Sequence, residues 1–198
     1  MKKKSKHPSN KHIQSAIAGL NQILDERGNN AIDVNRIDLC KAAGFSDQTF
    51  RYHFSSLSEI ISYAEAEIEF VFSIHTWKPF KRLTQYAVLT SLLTTLEQHQ
   101  EACRLLIRRP DYNYWRSLID LIKPALTRDW NHPAAMEDVM LESFTLQFLI
   151  LLNRWSSKDF SKDLIPECAR ILLYTLSTLE QQKIRYQTLA EETKLFRK

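Results

Sequence analysis

Three glycines in 198 residues, Gly19, Gly28 and Gly44, limit what this chain can fold into more than any motif it carries. Tight turns between strands draw heavily on glycine, and the six prolines are too dispersed to stand in for it, so an all-α fold is expected. Hydrophobic residues make up 44% of the chain, which suits a buried core and either one domain or a small domain joined to a larger one. The longest apolar runs, such as residues 148–152, fall far short of the roughly 18 residues a membrane-spanning helix needs. The basic N-terminal stretch MKKKSKHPSNK lacks the continuous apolar segment and small-residue cleavage site of a secretory signal, so a soluble cytoplasmic protein is expected. Cys40, Cys103 and Cys168 are odd in number and far apart, which suggests reduced, packed thiols rather than a disulfide framework or a zinc site.

Charge is spread unevenly. Residues 1–55 hold nine lysines and arginines against five acidic residues, whereas residues 56–198 hold eighteen of each. A basic N-terminal module that meets a polyanion, joined to a neutral body with a separate task, fits this division. A solubilising lysine-rich tail gives the same count.

Helical spacing organises the N-terminal quarter. Ser9 or Asn10 is the expected N-cap of a first helix that carries Ile13, Ala16, Ile17, Leu20, Ile23 and Leu24 on one face and stops at Gly28. A second helix is expected over residues 34–43, packed through Val34, Ile37, Leu39, Ala42 and Ala43, with Gly44 in the left-handed conformation that closes many helices. Ser46 then caps a third helix reaching His53, and Ser55 or Ser56 begins a fourth that runs towards Trp77. Two short helices separated by a tight glycine turn make a helix-turn-helix. Its second helix, within FSDQTFRYHF at residues 45–54, has Phe45, Phe50 and Phe54 as anchors and polar residues between them. Such a helix fits a DNA major groove, whose base edges offer donors, acceptors and thymine methyls to Gln48, Thr49 and Arg51. Ser46, Tyr52, His53 and Ser56 suit the flanking phosphates, and Lys41 and Asp47 complete the candidate DNA-binding set. A solvated surface helix has the same polarity, so this pattern alone does not decide.

The run RIDLCKAAGFSDQTFRYHFSSLSEII, residues 36–61, resembles the DNA-binding region of the TetR family of bacterial transcriptional regulators. The likeness lies in LCKAAG at 39–44, the turn and cap Phe45 and Ser46, Thr49 followed by Phe50, the pair His53 and Phe54, and the SxxSEII entry into the next helix. It extends back to AIAGLNQILDERG at 16–28. Arg51 stands where the family commonly has an aromatic, with Tyr52 one place later, and Leu57 stands where a backbone-contacting lysine is common. The resemblance implies a flexible basic arm at 1–8, a helix-turn-helix DNA-binding domain at 9–56, and a helical ligand-binding and dimerisation domain at 57–198. It also implies a transcriptional regulator, a repressor rather than an activator, that binds a palindromic operator in double-stranded DNA as a homodimer. The arm, Lys2 to Lys6 with Lys11, is expected to reach phosphates or the minor groove.

Further helices are expected at 80–98, 100–108, 112–128, 134–156 and 163–195, with Pro124 as a kink in the third. Met136, Met140, Phe144, Phe148, Leu152 and Trp155 form an apolar stripe on the fourth, and Leu172, Leu176 and Leu179 one on the fifth. In TetR-like proteins the last two long helices pair with their twofold mates, which implies a dimer interface through Phe144, Leu152, Trp155, Leu172, Leu176 and Leu179. An intrachain core gives the same stripes. Trp77, Phe80, Tyr86, Tyr112, Trp115 and Phe148 offer an aromatic lining for a small-molecule effector, although scattered aromatics in a helical body are also ordinary core. An effector would act by favouring a dimer whose recognition helices are wrongly spaced for successive major grooves.

No catalytic reading emerges. The six histidines include no HExxH and no close pair at metal-ligand spacing, and there is no phosphate-binding loop, dinucleotide glycine pattern or GxSxG elbow. Neither a metal nor a cofactor is expected. The alternative to a regulator is a TetR-like adaptor or coregulator that has lost sequence-specific DNA binding and works through protein contacts. Salt-dependent retention on DNA separates the two.

Overall fold

The computed structural model of the chain describes residues 10–28, 34–76, 83–108, 111–128 and 134–178, without the side chains of residues 134–136. All regular structure among the described residues is helical: α1 (Asn10–Arg27), α2 (Arg36–Ala43), α3 (Asp47–His53), α4 (Leu57–Ile74), α5 (Gln85–Gln98), α6 (Gln100–Ile107), α7 (Tyr112–Leu126), α8 (Ala134–Ser156) and α9 (165–178). None of these is long and apolar enough to cross a membrane. They fall into two compact units. The first contains α1, α2, α3, α4 as far as Val71, and α6; the second contains the end of α4, α5 as far as Glu97, α7, α8 and α9.

In the first unit, α1 buries Ala16, Ile17, Leu20, Ile23 and Leu24 at helical spacing and gives way at Gly28, whose φ of 78° few other residues adopt. Gly19 is dictated by packing. A Cβ built there would lie 2.7 Å from the backbone nitrogen of Ala43 and 3.0 Å from its Cα, so α1 and α2 cross with their backbones nearly touching. Asn35, rather than a residue before Val34, caps α2 by accepting the Asp38 N–H at 2.8 Å. The expected packing of α2 needs correction, because Ile37 is 59% exposed while Cys40 is buried beside Leu39. A helix of two turns presses only one narrow strip against its neighbour, and the close crossing at Gly19 fixes that strip. Three polar ties join α1, α4 and α6. Gln14 donates to Glu67 at 2.7 Å, the His99 ring pairs with the same carboxylate at 2.6 Å, and Asn21 donates to the Glu101 carbonyl and carboxylate at 2.8 Å each.

The second unit is built around aromatic rings. Phe148 has Phe72, Trp115 and Phe144 around it, with ring centroids 6.0, 6.3 and 6.2 Å away. The chain leaves α8 through Asp159 and Phe160, both at φ 50°, and the strained Phe160 is held by its buried ring, 5.0 Å from that of Trp155. The break implied by expected helices at 134–156 and 163–195 is therefore present. Helix α5 starts at Gln85, later than residue 80, because Thr84 caps it by accepting the Ala87 N–H. Pro124 lies inside α7, which ends two residues later at Leu126 rather than at 128. Helix α9 follows the 3-10 turn Lys162–Leu164. Its expected continuation to 195, together with the arm at 1–8, Trp77, Phe80 and Leu179, lies outside the described residues, as does the side chain of Met136.

Candidate nucleic-acid interface

Helix α3 has only seven residues, too few to be stable alone, and its ends do much of the work of holding it. Gly44, at φ 71°, closes α2 with its N–H directed at the Cys40 and Lys41 carbonyls. Two residues later the Ser46 side chain accepts the Thr49 N–H at 3.1 Å, and the two hydroxyls bond each other at 2.9 Å. Phe54 closes the far end with its N–H on the Phe50 carbonyl at 2.7 Å. Phe50 and Phe54 are each 3% exposed, and Phe45 stands 6.5 and 6.2 Å from their rings. The three phenylalanines thus anchor the segment.

The remaining side chains of α3 and its flanks face outwards to differing degrees. Lys41, Ser46, Gln48, Arg51, Tyr52 and Ser56 are exposed, and Asp47, Thr49 and His53 are half-buried. Ser56 accepts the Glu59 N–H at 3.2 Å, and the Glu59 carboxylate reaches back to the N–H and hydroxyl of Ser55 at 2.6 and 2.7 Å. Helix α4 therefore begins from a fixed turn close to the end of α3.

Electrostatics qualify this surface. The basic excess of the N-terminal quarter resides in residues 1–9, which carry four lysines and no acid; residues 10–55 hold five of each sign. Arginines near α3 are matched by aspartates: Arg27 pairs with Asp38 at 2.6 Å, and Asp47 takes both Arg36 and Arg51, the latter at 2.8 Å. His53 stacks on His12 of α1, with ring centroids 4.3 Å apart. Loss of solvent, reinforced by the neighbouring His12, lowers the pKa of His53 below its ordinary value. Neither Arg36 nor His12 is signalled by the sequence, because their partners lie 11 and 41 positions away and no local spacing marks such pairs.

In the second unit the candidate effector residues divide. Trp115 and Phe148 are fully buried in the aromatic core, whereas Tyr86 and Tyr112 are half-buried. Burial, and next the Glu142 carboxylate, raise the pKa of the Tyr112 phenol. The indole N–H of Trp115 is shielded from solvent and has no acceptor among the described residues. The stripes expected to form a dimer interface are intrachain core: Phe144, Leu152, Trp155, Leu172 and Leu176 are at most 1% exposed, so none of these side chains stands on the surface. Along α8, the 3-10 turn and α9, the large apolar residues that do are Val139, Leu146, Ile150, Leu164, Ile171 and Tyr174. Ile150 and Ile171 line one groove, and Leu146 and Tyr174 a second, so α8 and α9 present a shared apolar face. Among the described residues no group of three or more His, Cys, Asp or Glu side chains is arranged to hold a metal ion. No protein-family model matches the chain, and no curated protein matches it.

Proposed function

We propose that this chain is a TetR-like DNA-binding transcriptional regulator, a repressor that binds a palindromic operator as a homodimer. The observation that carries the reading is α3. It is a helix fixed by its caps and three phenylalanines, with Gln48, Arg51 and Tyr52 exposed along it, and a major groove admits one such helix. In this reading α2 and α3 form the helix-turn-helix, Gln48 and Arg51 address base edges, and Lys41, Ser46, Tyr52 and Ser56 take phosphates. The lysines of residues 1–9 supply the sequence-independent attraction that the balanced helices lack.

A second copy of the chain is the proposed partner of the apolar face of α8 and α9, in place of the buried stripes. The proposed effector site is the aromatic interior around Trp115 and Phe148. Its supporting observation is the buried indole N–H, which has no acceptor among the described residues and which a ligand oxygen would satisfy. Such a ligand regulates by binding one dimer state better than the other.

Selection of bound duplexes from a random pool tests the reading, with Gln48→Ala and Arg51→Ala as controls. The expected result is a palindromic consensus that both variants lose; no enrichment at low salt overturns it. The even charge count of residues 10–55 favours the second reading, an adaptor without DNA specificity, and that reading expects the negative result.

A further inference from the structure

Asp47 occupies the first position of α3, where side chains of a recognition helix come close to the duplex. A carboxylate there is repelled by phosphates, so its presence on this face needs a reason. Its two oxygens are divided between two arginines: Arg51 Nε, one turn along α3, reaches Oδ2 at 2.8 Å, and Arg36 Nε, at the start of α2, meets Oδ1. The contacting atoms Arg36 Nε and Asp47 Oδ1 are shielded from solvent, and their contact is an ion pair without hydrogen-bond geometry. The side chains as a whole are not, with 41%, 43% and 64% of Arg36, Asp47 and Arg51 exposed. Exposed pairs of this kind are weak and exchange readily for another partner.

We infer that Asp47 is a positioning and specificity-determining residue that restrains Arg36 and Arg51 in the free protein. The inference rests on the DNA-binding reading of α3. With the carboxylate in place, the cluster carries one net positive charge instead of two, and both guanidinium groups are held along the protein surface. A duplex that offers Arg51 a guanine edge and Arg36 a phosphate in the right register replaces the carboxylate with better partners. A duplex that offers only phosphates must separate the same pairs and face the carboxylate without that return. Asp47 thereby lowers affinity for non-specific DNA more than for the operator, which is discrimination by an unfavourable contact.

The test compares the full chain with Asp47→Asn and Asp47→Glu on two probes: the duplex selected from a random pool by the parent protein, and a random-sequence duplex of the same length. Asparagine is isosteric and Asp47 is only half-buried, so folding is retained. For Asp47→Asn, affinity for the random duplex should rise about tenfold. The slope of log K against log salt should steepen by about one to two, at about 0.9 for each additional phosphate neutralised. The ratio of selected to random affinity should fall. Asp47→Glu, which keeps the charge, should stay near the parent, and adding Arg36→Gln and Arg51→Gln to Asp47→Asn should cancel the steepening. If the parent binds its selected duplex and Asp47→Asn leaves slope and ratio unchanged, or Asp47→Glu behaves like Asp47→Asn, this inference fails and the DNA-binding reading survives. If neither parent nor variant binds any duplex at low salt, both fail.

Discussion

Helices α3 and α8 both bury phenylalanine, yet they are held by opposite means. Helix α3 is fixed at its ends, by Ser46 and Phe54, and keeps its flanks polar. Helix α8 is fixed along its length by Phe144, Phe148, Leu152 and Trp155, and even its outward side carries Val139, Leu146 and Ile150. Inward composition tells little in either case, since both bury aromatics. The outward composition distinguishes them: a polar face suits nucleic acid, and an apolar one suits a protein surface.

This contrast can be broken at its strongest point first. Phe148→Ala should cost about 3–5 kcal/mol in chemical denaturation, because a large cavity opens among Phe72, Trp115 and Phe144. A loss below about 1 kcal/mol would mean the aromatic interior is loosely packed and α8 is not held along its length. Ser46→Ala should cost about 1 kcal/mol, a sizeable loss for a helix of seven residues that relies on its cap. Backbone amide exchange should report the opening locally in residues 47–53. Replacing Leu146 and Ile150 together by glutamate should shift stability of the isolated chain by no more than about 0.5 kcal/mol, since both side chains are about half-exposed. The same double variant should abolish the proposed dimer in analytical ultracentrifugation, and an unchanged mass would assign the apolar face another role.

The smallest expected effect concerns pH. His53 has its folded-state pKa lowered below the ordinary 6.5, so the unfolded chain binds the proton more readily. The resulting contribution to stability is fully present above pH 6.5 and is lost as pH falls through the lowered folded value. Melting temperatures of the parent should therefore fall more steeply below pH 6.5 than those of His53→Gln; identical slopes would show that the histidine stack is energetically silent.

Much of the first unit was legible in its sequence because its signals are local. Gly28, Gly44 and Ser46 each act within four residues of themselves, Phe50 and Phe54 meet rings no more than nine positions away, and the structure has them in the expected places. Helix α2 departs from expectation at Ile37, since eight residues give too short a record to set the phase of a buried strip. Helix α8 misleads for the opposite reason. It is apolar around much of its circumference, so a periodic pattern selects Phe144, Leu152 and Trp155 without indicating that they point inwards. The Asp47 cluster was half legible. Its hydrogen bond to Arg51 follows from the four-residue spacing, whereas its ion-pair contact with Arg36 requires knowing how α2 and α3 turn about Gly44.

The missing side chain at Gly19 has a mechanical result. Two helices separated by side chains can slide as rotamers change, but a backbone seated against a backbone has no compliant layer to absorb a shift. Helix α1 and the end of α2 must therefore travel together. The His12–His53 stack meets the far end of α3 from the opening turns of α1, so the same helix grips both sides of the Gly44 turn. The end of α2 and the far end of α3 thus both rest on α1.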